Sequence, residues 1–128
     1  MTTALNTLLS SLSPHSTTSP EKLQAVADDP NAHLFLIREG DEIVATATLC
    51  VCHTPESTIG FVETVVVAPE CRGKGYGRKI MEDVIAKAKD LGCDKLQLTS
   101  KPSRVAANEL YKKLGFSLKE TNCYKLEL

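Results

Sequence analysis

A nearly continuous apolar run from Phe61 to Ala68 leads into Arg72-Gly73-Lys74-Gly75-Tyr76-Gly77 and then into a helical repeat. This combination limits the folds open to the chain more than any other feature. A strand that is apolar at successive positions belongs inside a sheet, covered on both faces. Ile80, Met81, Val84, Ile85, Ala88 and Leu91 recur at helical spacing, so a helix from Gly75 to Leu91 lays one apolar stripe on that sheet, with Gly92 suited to the position past its end. The glycines between strand and helix let the backbone turn tightly and aim several N–H groups into one concavity. The helix adds the positive end of its dipole, and Arg72, Lys74, Arg78 and Lys79 add full charges. A turn built this way suits a polyanion, above all a pyrophosphate.

The elements around it follow from periodicity and punctuation. Leu5, Leu8, Leu9 and Leu12 predict a short helix stopped by Ser13-Pro14. Ser19-Pro20-Glu21 reads as N-cap, first residue and first-turn acid of a second helix, ending near Asp29-Pro30. His33 to Arg38 and Ile43 to Cys52 pair around the turn Glu39 to Glu42, and Cys50 and Cys52 share a strand face suited to small core residues. Lys95 to Thr99 forms a strand, Ser103 caps a helix ending at Gly115, and Phe116 to Leu118 pairs with Cys123 to Leu126 in a last hairpin. The predicted class is α/β (α+β): a mixed, mostly antiparallel central sheet with helices on both faces.

A chain of 128 residues is expected to form one domain, residues 1–128. The formal net charge of −1 argues against a general nucleic-acid binder. Five scattered cysteines, with no Cys-x-x-Cys pair and no histidine at ligand spacing, predict no metal site. The odd cysteine count and the lack of an apolar leader point to a reducing cytoplasm, and no apolar run is long enough to span a membrane.

Two familiar phosphate loops fail here. Gly77 is followed by Arg78-Lys79 and not by Lys and a hydroxyl residue, and the last glycine comes one residue early for a dinucleotide fingerprint. The segment does match Arg/Gln-x-x-Gly-x-Gly/Ala, and so resembles the pyrophosphate loop of the GNAT superfamily of N-acetyltransferases. Ser103 to Phe116 is similar to the late helix of that superfamily, closing in Tyr111-Lys112-Lys113-Leu114-Gly115-Phe116. The resemblance runs from Phe61 to the C-terminus. Members usually begin with an additional strand; none is legible here, so a short or truncated member is expected.

The resemblance implies acetyl-CoA as donor, bound through Arg72, Gly73, Lys74, Gly75, Tyr76 and Gly77 for the pyrophosphate and through the backbone of Val65, Val66 and Val67 for the pantetheine arm. In the superfamily that strand splays from its neighbour. Asn108 is a further candidate contact, because Arg104 stands where many members have Asn. Transfer to an amine needs a base, stabilisation of the oxyanion and a proton for the departing thiolate, but no covalent enzyme intermediate. Glu63 is the one carboxylate in its apolar strand; burial there would raise its pKa and make it the base. Tyr111, by resemblance, is the acid facing the sulfur. A helix N-terminus beside Cys71 can lower a thiol pKa, though nothing else marks that residue as a nucleophile.

The expected function is transfer of acetyl from acetyl-CoA to a primary amine of a small molecule, in a ternary complex. Glu63 to Val67 followed by Glu70 to Lys74 is also similar to members that acetylate glucosamine 6-phosphate, so that amino sugar is an alternative acceptor. Acetylation of a protein or peptide, and a non-catalytic acyl-CoA-binding domain, also stay open. The resemblance leaves a homodimer open as well.

Overall fold

The computed structural model describes residues 1–128. Helices α1 (Thr2–Leu9) and α2 (Pro20–Asp28) precede strands β1 (Ala32–Glu39), β2 (Glu42–His53) and β3 (Thr58–Val67). A short 3-10 turn at Pro69–Cys71 leads to α3 (Tyr76–Asp90), followed by β4 (Lys95–Gln97) and α4 (Val105–Lys113). The sheet order is β1-β2-β3-β4, with only β3 and β4 parallel. The expected mixed, mostly antiparallel sheet is therefore present.

Alternation along β2 divides the core in two. Ala45, Ala47 and Leu49 face α3, where they pack with Val62, Ile80, Met81, Val84 and Ala88. Val44 faces the other way, Ile43 joins it across a register shift between β1 and β2, and both meet Leu5, Leu8 and Leu9 of α1, together with Val66. Helices thus cover both faces. Fully burying a leucine contributes about 1.5–3 kcal/mol, so the three leucines of α1, each under a tenth exposed, hold that helix firmly to the sheet. Ser19 caps α2 as expected, its hydroxyl accepting from Lys22 N–H at 3.2 Å.

Several expectations are corrected. α1 ends at Leu9, leaving Leu12 in the following turn and 38% exposed. β4 stops at Gln97 and does not reach Thr99. Arg104, not Ser103, is the N-cap of α4, and no side chain caps the helix there. Cys52 is exposed and Cys50 only half-buried, because they lie at the far end of β2, beyond the cover of α1. The last hairpin does not form. Residues after Gly115 carry no strand, and Leu118, Tyr124, Leu126 and Leu128 are exposed. An isolated hairpin is marginal without an apolar face to rest on, and β4 offers an edge only three residues long.

Candidate active site

β3 and β4 pair only at Ile59–Lys95, Gly60–Leu96 and Phe61–Gln97. Beyond Phe61 the two chains part, while β3 stays paired with β2 as far as Val67. A cleft of about 440 Å³ opens in the wedge. Its walls are Val62 to Val65 on one side, Leu98 to Lys101 on the other, and Arg104 and Tyr111 of the α4 segment. Leu12 closes the side nearest α1. The turn that carries Leu12 is pinned by Asn6, whose side chain accepts from Thr18 N–H at 2.7 Å and donates to the Thr18 carbonyl at 3.3 Å.

A β-bulge sits at the cleft. The β2–β3 register shifts between Thr46 and Thr48, and Thr64 has φ 54°, a left-handed conformation costly for a β-branched residue. The extra residue lets Val62, Val65 and Val67 all pack toward the α3 face, while Val66 packs toward α1. It also leaves Glu63 and Thr64 exposed. Glu63 was expected to be buried; it is not, because the strand parts from β4 at that point. With burial gone, what distinguishes Glu63 is its position on the cleft.

Tyr111 lines the same cleft from α4 and is only 6% exposed. Its ring packs edge-on against Phe116, with centroids 6.0 Å apart. Burial raises its hydroxyl above the usual phenol value, and the Arg104 guanidinium pulls it partly back. Such a group stays protonated at neutral pH, as a proton donor must.

The glycine loop lies at the start of α3. Gly73 and Gly75 have φ of 82° and 85°, which side-chain-bearing residues adopt only with strain. No acceptor within the protein takes the N–H of Gly73, Lys74 or Gly75. The first bond into α3 runs from Lys79 N–H to the Gly75 carbonyl at 3.0 Å, so the N–H groups of Tyr76, Gly77 and Arg78 precede it. The result is a row of unpaired donors at a helix N-terminus. Gly77 serves packing instead. A Cβ there would lie 3.3 Å from Leu110 Cδ2 and 3.7 Å from Val67 Cγ2, so glycine lets α3 come close to α4.

The charges around this loop are more engaged than the sequence suggests. Lys74 lies 3.5 Å from Glu39, Arg78 lies 3.6 Å from Glu82, and Lys79 lies 2.8 Å from Asp83. Arg72 makes no ion pair. The Tyr76 hydroxyl also donates to Glu39, so Tyr76 offers the loop its N–H and not its phenol. That hydrogen bond, helped by Lys74 against the effect of burial, holds the Glu39 carboxyl below its ordinary value. Cys71 is buried beneath the same carboxylate, and its thiol is pushed up by burial and then by Glu39, opposite to the lowering that a helix N-terminus suggests. Sequence reasoning missed Glu39, which reads locally as one more acidic residue in a turn.

Asn108 stands outside the cleft. Its amide donates to the carbonyls of Lys101 at 2.9 Å and Arg104 at 2.8 Å, fixing the entry to α4. Arg104, Lys101, Ser100 and Leu12 line the cleft instead. Of these the sequence connected only Arg104 with the site, Leu12 reading there as part of the first helix's apolar repeat.

The Acetyltransferase (GNAT) family profile matches residues 3–116. Aminoglycoside N(6')-acetyltransferase type 1 of Stenotrophomonas maltophilia is 30% identical over 109 residues, covering 81% of this chain and 71% of that protein. Among solved structures, a putative acetyltransferase from Agrobacterium tumefaciens superposes with a TM-score of 0.87 at 25% identity, covering 98% of this chain and 93% of the other. Glucosamine-6-phosphate N-acetyltransferase from Arabidopsis thaliana shares the fold with a TM-score of 0.84 at 23% identity, covering 96% and 88%.

Proposed function

The chain belongs to the Acetyltransferase (GNAT) family and is an acetyl-CoA-dependent N-acetyltransferase, and from that premise we propose that it acetylates the primary amine of a small molecule by direct attack, with donor and acceptor bound together. One observation carries this reading: Glu63 of β3 and Tyr111 of α4 line one cleft, and that cleft lies where β3 and β4 part.

The residues fit the donor. The unpaired N–H groups from Gly73 to Arg78 suit a pyrophosphate, which needs many donors and little side-chain specificity. The free edge of β3 along Val65 to Val67, left when β4 turns away, gives the pantetheine arm main-chain groups to pair with. The donor supplies an activated acetyl thioester. Glu63 accepts the proton of the incoming ammonium, directly or through a water, which its exposure allows. The Tyr111 hydroxyl gives its proton to the departing sulfur. Leu12 and the side chains around Arg104 hold the amine against the open side of the cleft.

Thermal unfolding with acetyl-CoA, and with ATP and NAD as controls, tests the donor site first. Donor at ~100 times its dissociation constant would stabilise the fold by about 2.7 kcal/mol. A shift with acetyl-CoA alone, followed by amine-dependent release of free thiol, is the expected result. No shift in a folded sample would sink the donor assignment.

A further inference from the structure

The cleft also carries information about the acceptor, on the premise that it is the site of acetyl transfer. Its polar lining is unbalanced. Lys101 and Arg104 face one carboxylate, Glu63, and neither cation has an ion-pair partner within 4.0 Å. Their presentation is built and not left to chance. Asn108 ties both of their carbonyls together, and Arg104 N–H donates to the Lys101 carbonyl at 3.0 Å, so the two side chains leave one tight turn. Ser100, next in line on the same wall, has a buried Oγ with no hydrogen-bond partner in the protein. A buried hydroxyl without a partner is uncommon, and here it lies beside two unpaired cations.

These cations are poorly placed to serve the donor phosphates. Gly77 of the phosphate loop approaches α4 at Leu110. Arg104 lies at the other end of α4, about 9 Å away along the axis at ~1.5 Å per residue. Arg104 lines the same cleft as Tyr111 and Glu63, so it stands near the place of reaction.

We propose that Ser100, Lys101 and Arg104 form an oxyanion subsite for the acceptor, so that the preferred substrate is a small amine bearing a carboxylate or a phosphate. Its amine lies toward Glu63 and its anionic group toward the turn before α4. A polycationic amine would set its remaining ammonium groups against Lys101 and Arg104, which disfavours it.

Matched pairs test this by calorimetric binding, on free protein and on protein saturated with CoA. Glucosamine 6-phosphate is compared with glucosamine, lysine with lysinamide, and kanamycin serves as the polycation. At least one anionic member should bind about tenfold or more tightly than the partner that lacks the anion, as expected for charge-assisted hydrogen bonds. Whichever pair shows the larger ratio identifies the anion as phosphate or carboxylate. Arg104→Gln and Lys101→Gln should each erode that ratio, Arg104→Lys should keep part of it, and CoA affinity should stay within about twofold. The proposal is overturned if both members of each pair bind alike, if kanamycin binds best, or if the variants weaken CoA as much as the anionic amine. Failure of the acetyl-transfer reading itself shows separately, as absence of the acetyl-CoA shift in thermal unfolding. Because the pairs are also measured on free protein, the subsite is judged in either case.

Discussion

The two ends of the site are built from different materials. The proposed donor end is one unbroken segment, Gly73 to Arg78, and offers main-chain N–H groups; three of the nearby cations are engaged by Glu39, Glu82 and Asp83. The proposed acceptor end is made of side chains from the turn after α1, from β3, from the segment after β4 and from the start of α4. A site made of backbone should be sensitive to conformation and tolerant of side-chain charge. A site made of side chains should behave the other way.

The largest effect is expected where the two ends meet. Tyr111→Phe removes the proposed proton donor but keeps the buried ring against Phe116. It should lower kcat about 100-fold, in the usual range for general acid catalysis, while leaving the acetyl-CoA thermal shift in place. In the parent enzyme, activity that depends on this proton should fall only above the ordinary phenol range, because burial raises the hydroxyl. The variant should lose that alkaline limb. Full activity in Tyr111→Phe would remove the tyrosine from the mechanism.

Gly75→Val tests the backbone side of the comparison. At φ 85° a β-branched residue costs about 1–3 kcal/mol, so donor affinity should fall roughly tenfold or more as the loop gives way. Acceptor binding to the free protein should be unchanged. Equal loss at both ends would mean that the loop and the cleft are one structural unit and that the distinction between them is false. Glu63→Gln should cost about tenfold in kcat, less than Tyr111→Phe, because an exposed carboxylate is more easily replaced by water. A rate within about twofold of the parent would assign proton removal to solvent.

The same division explains what the sequence disclosed. The glycine loop was legible because its requirements are local: a strand, three glycines and a helix in immediate succession. Gly73 and Gly75 turn out to need positive φ, and Gly77 needs space beside Leu110. The cleft was harder to see because its residues come together only through topology. Glu63 was recognised as unusual but given the wrong burial, since an apolar run does not reveal where β3 leaves β4 or that Thr64 bulges. Glu39 ends β1, far in sequence from the loop it clamps, and no local pattern links the two. The alternation of Tyr124, Leu126 and Leu128 signals a strand-capable segment, but alternation names no neighbour, and within this chain none is found.

Glu39 offers the mildest test and the one that bears most directly on backbone against charge. Its carboxylate accepts from Tyr76, pairs with Lys74 and stands over Cys71. Because its folded-state pKa is lowered, the folded protein holds this proton less tightly than the unfolded chain does. The resulting stabilisation is present above the ordinary value of 4.5 and is lost as pH falls from there through the lower folded value. Glu39→Gln keeps an acceptor for Tyr76 but cannot titrate. Its unfolding temperature should therefore decline less steeply than the parent's below about pH 4.5, and the difference should shrink in high salt because the pair is exposed. At neutral pH the variant frees Lys74. If backbone N–H groups dominate donor binding, acetyl-CoA affinity should rise by no more than about twofold, the scale of one exposed ion pair. A gain of about tenfold would mean that side-chain charge, restrained by Glu39, governs the donor end after all. A comparable loss would instead make Glu39 the strut that holds Tyr76, and with it the loop, in its binding conformation.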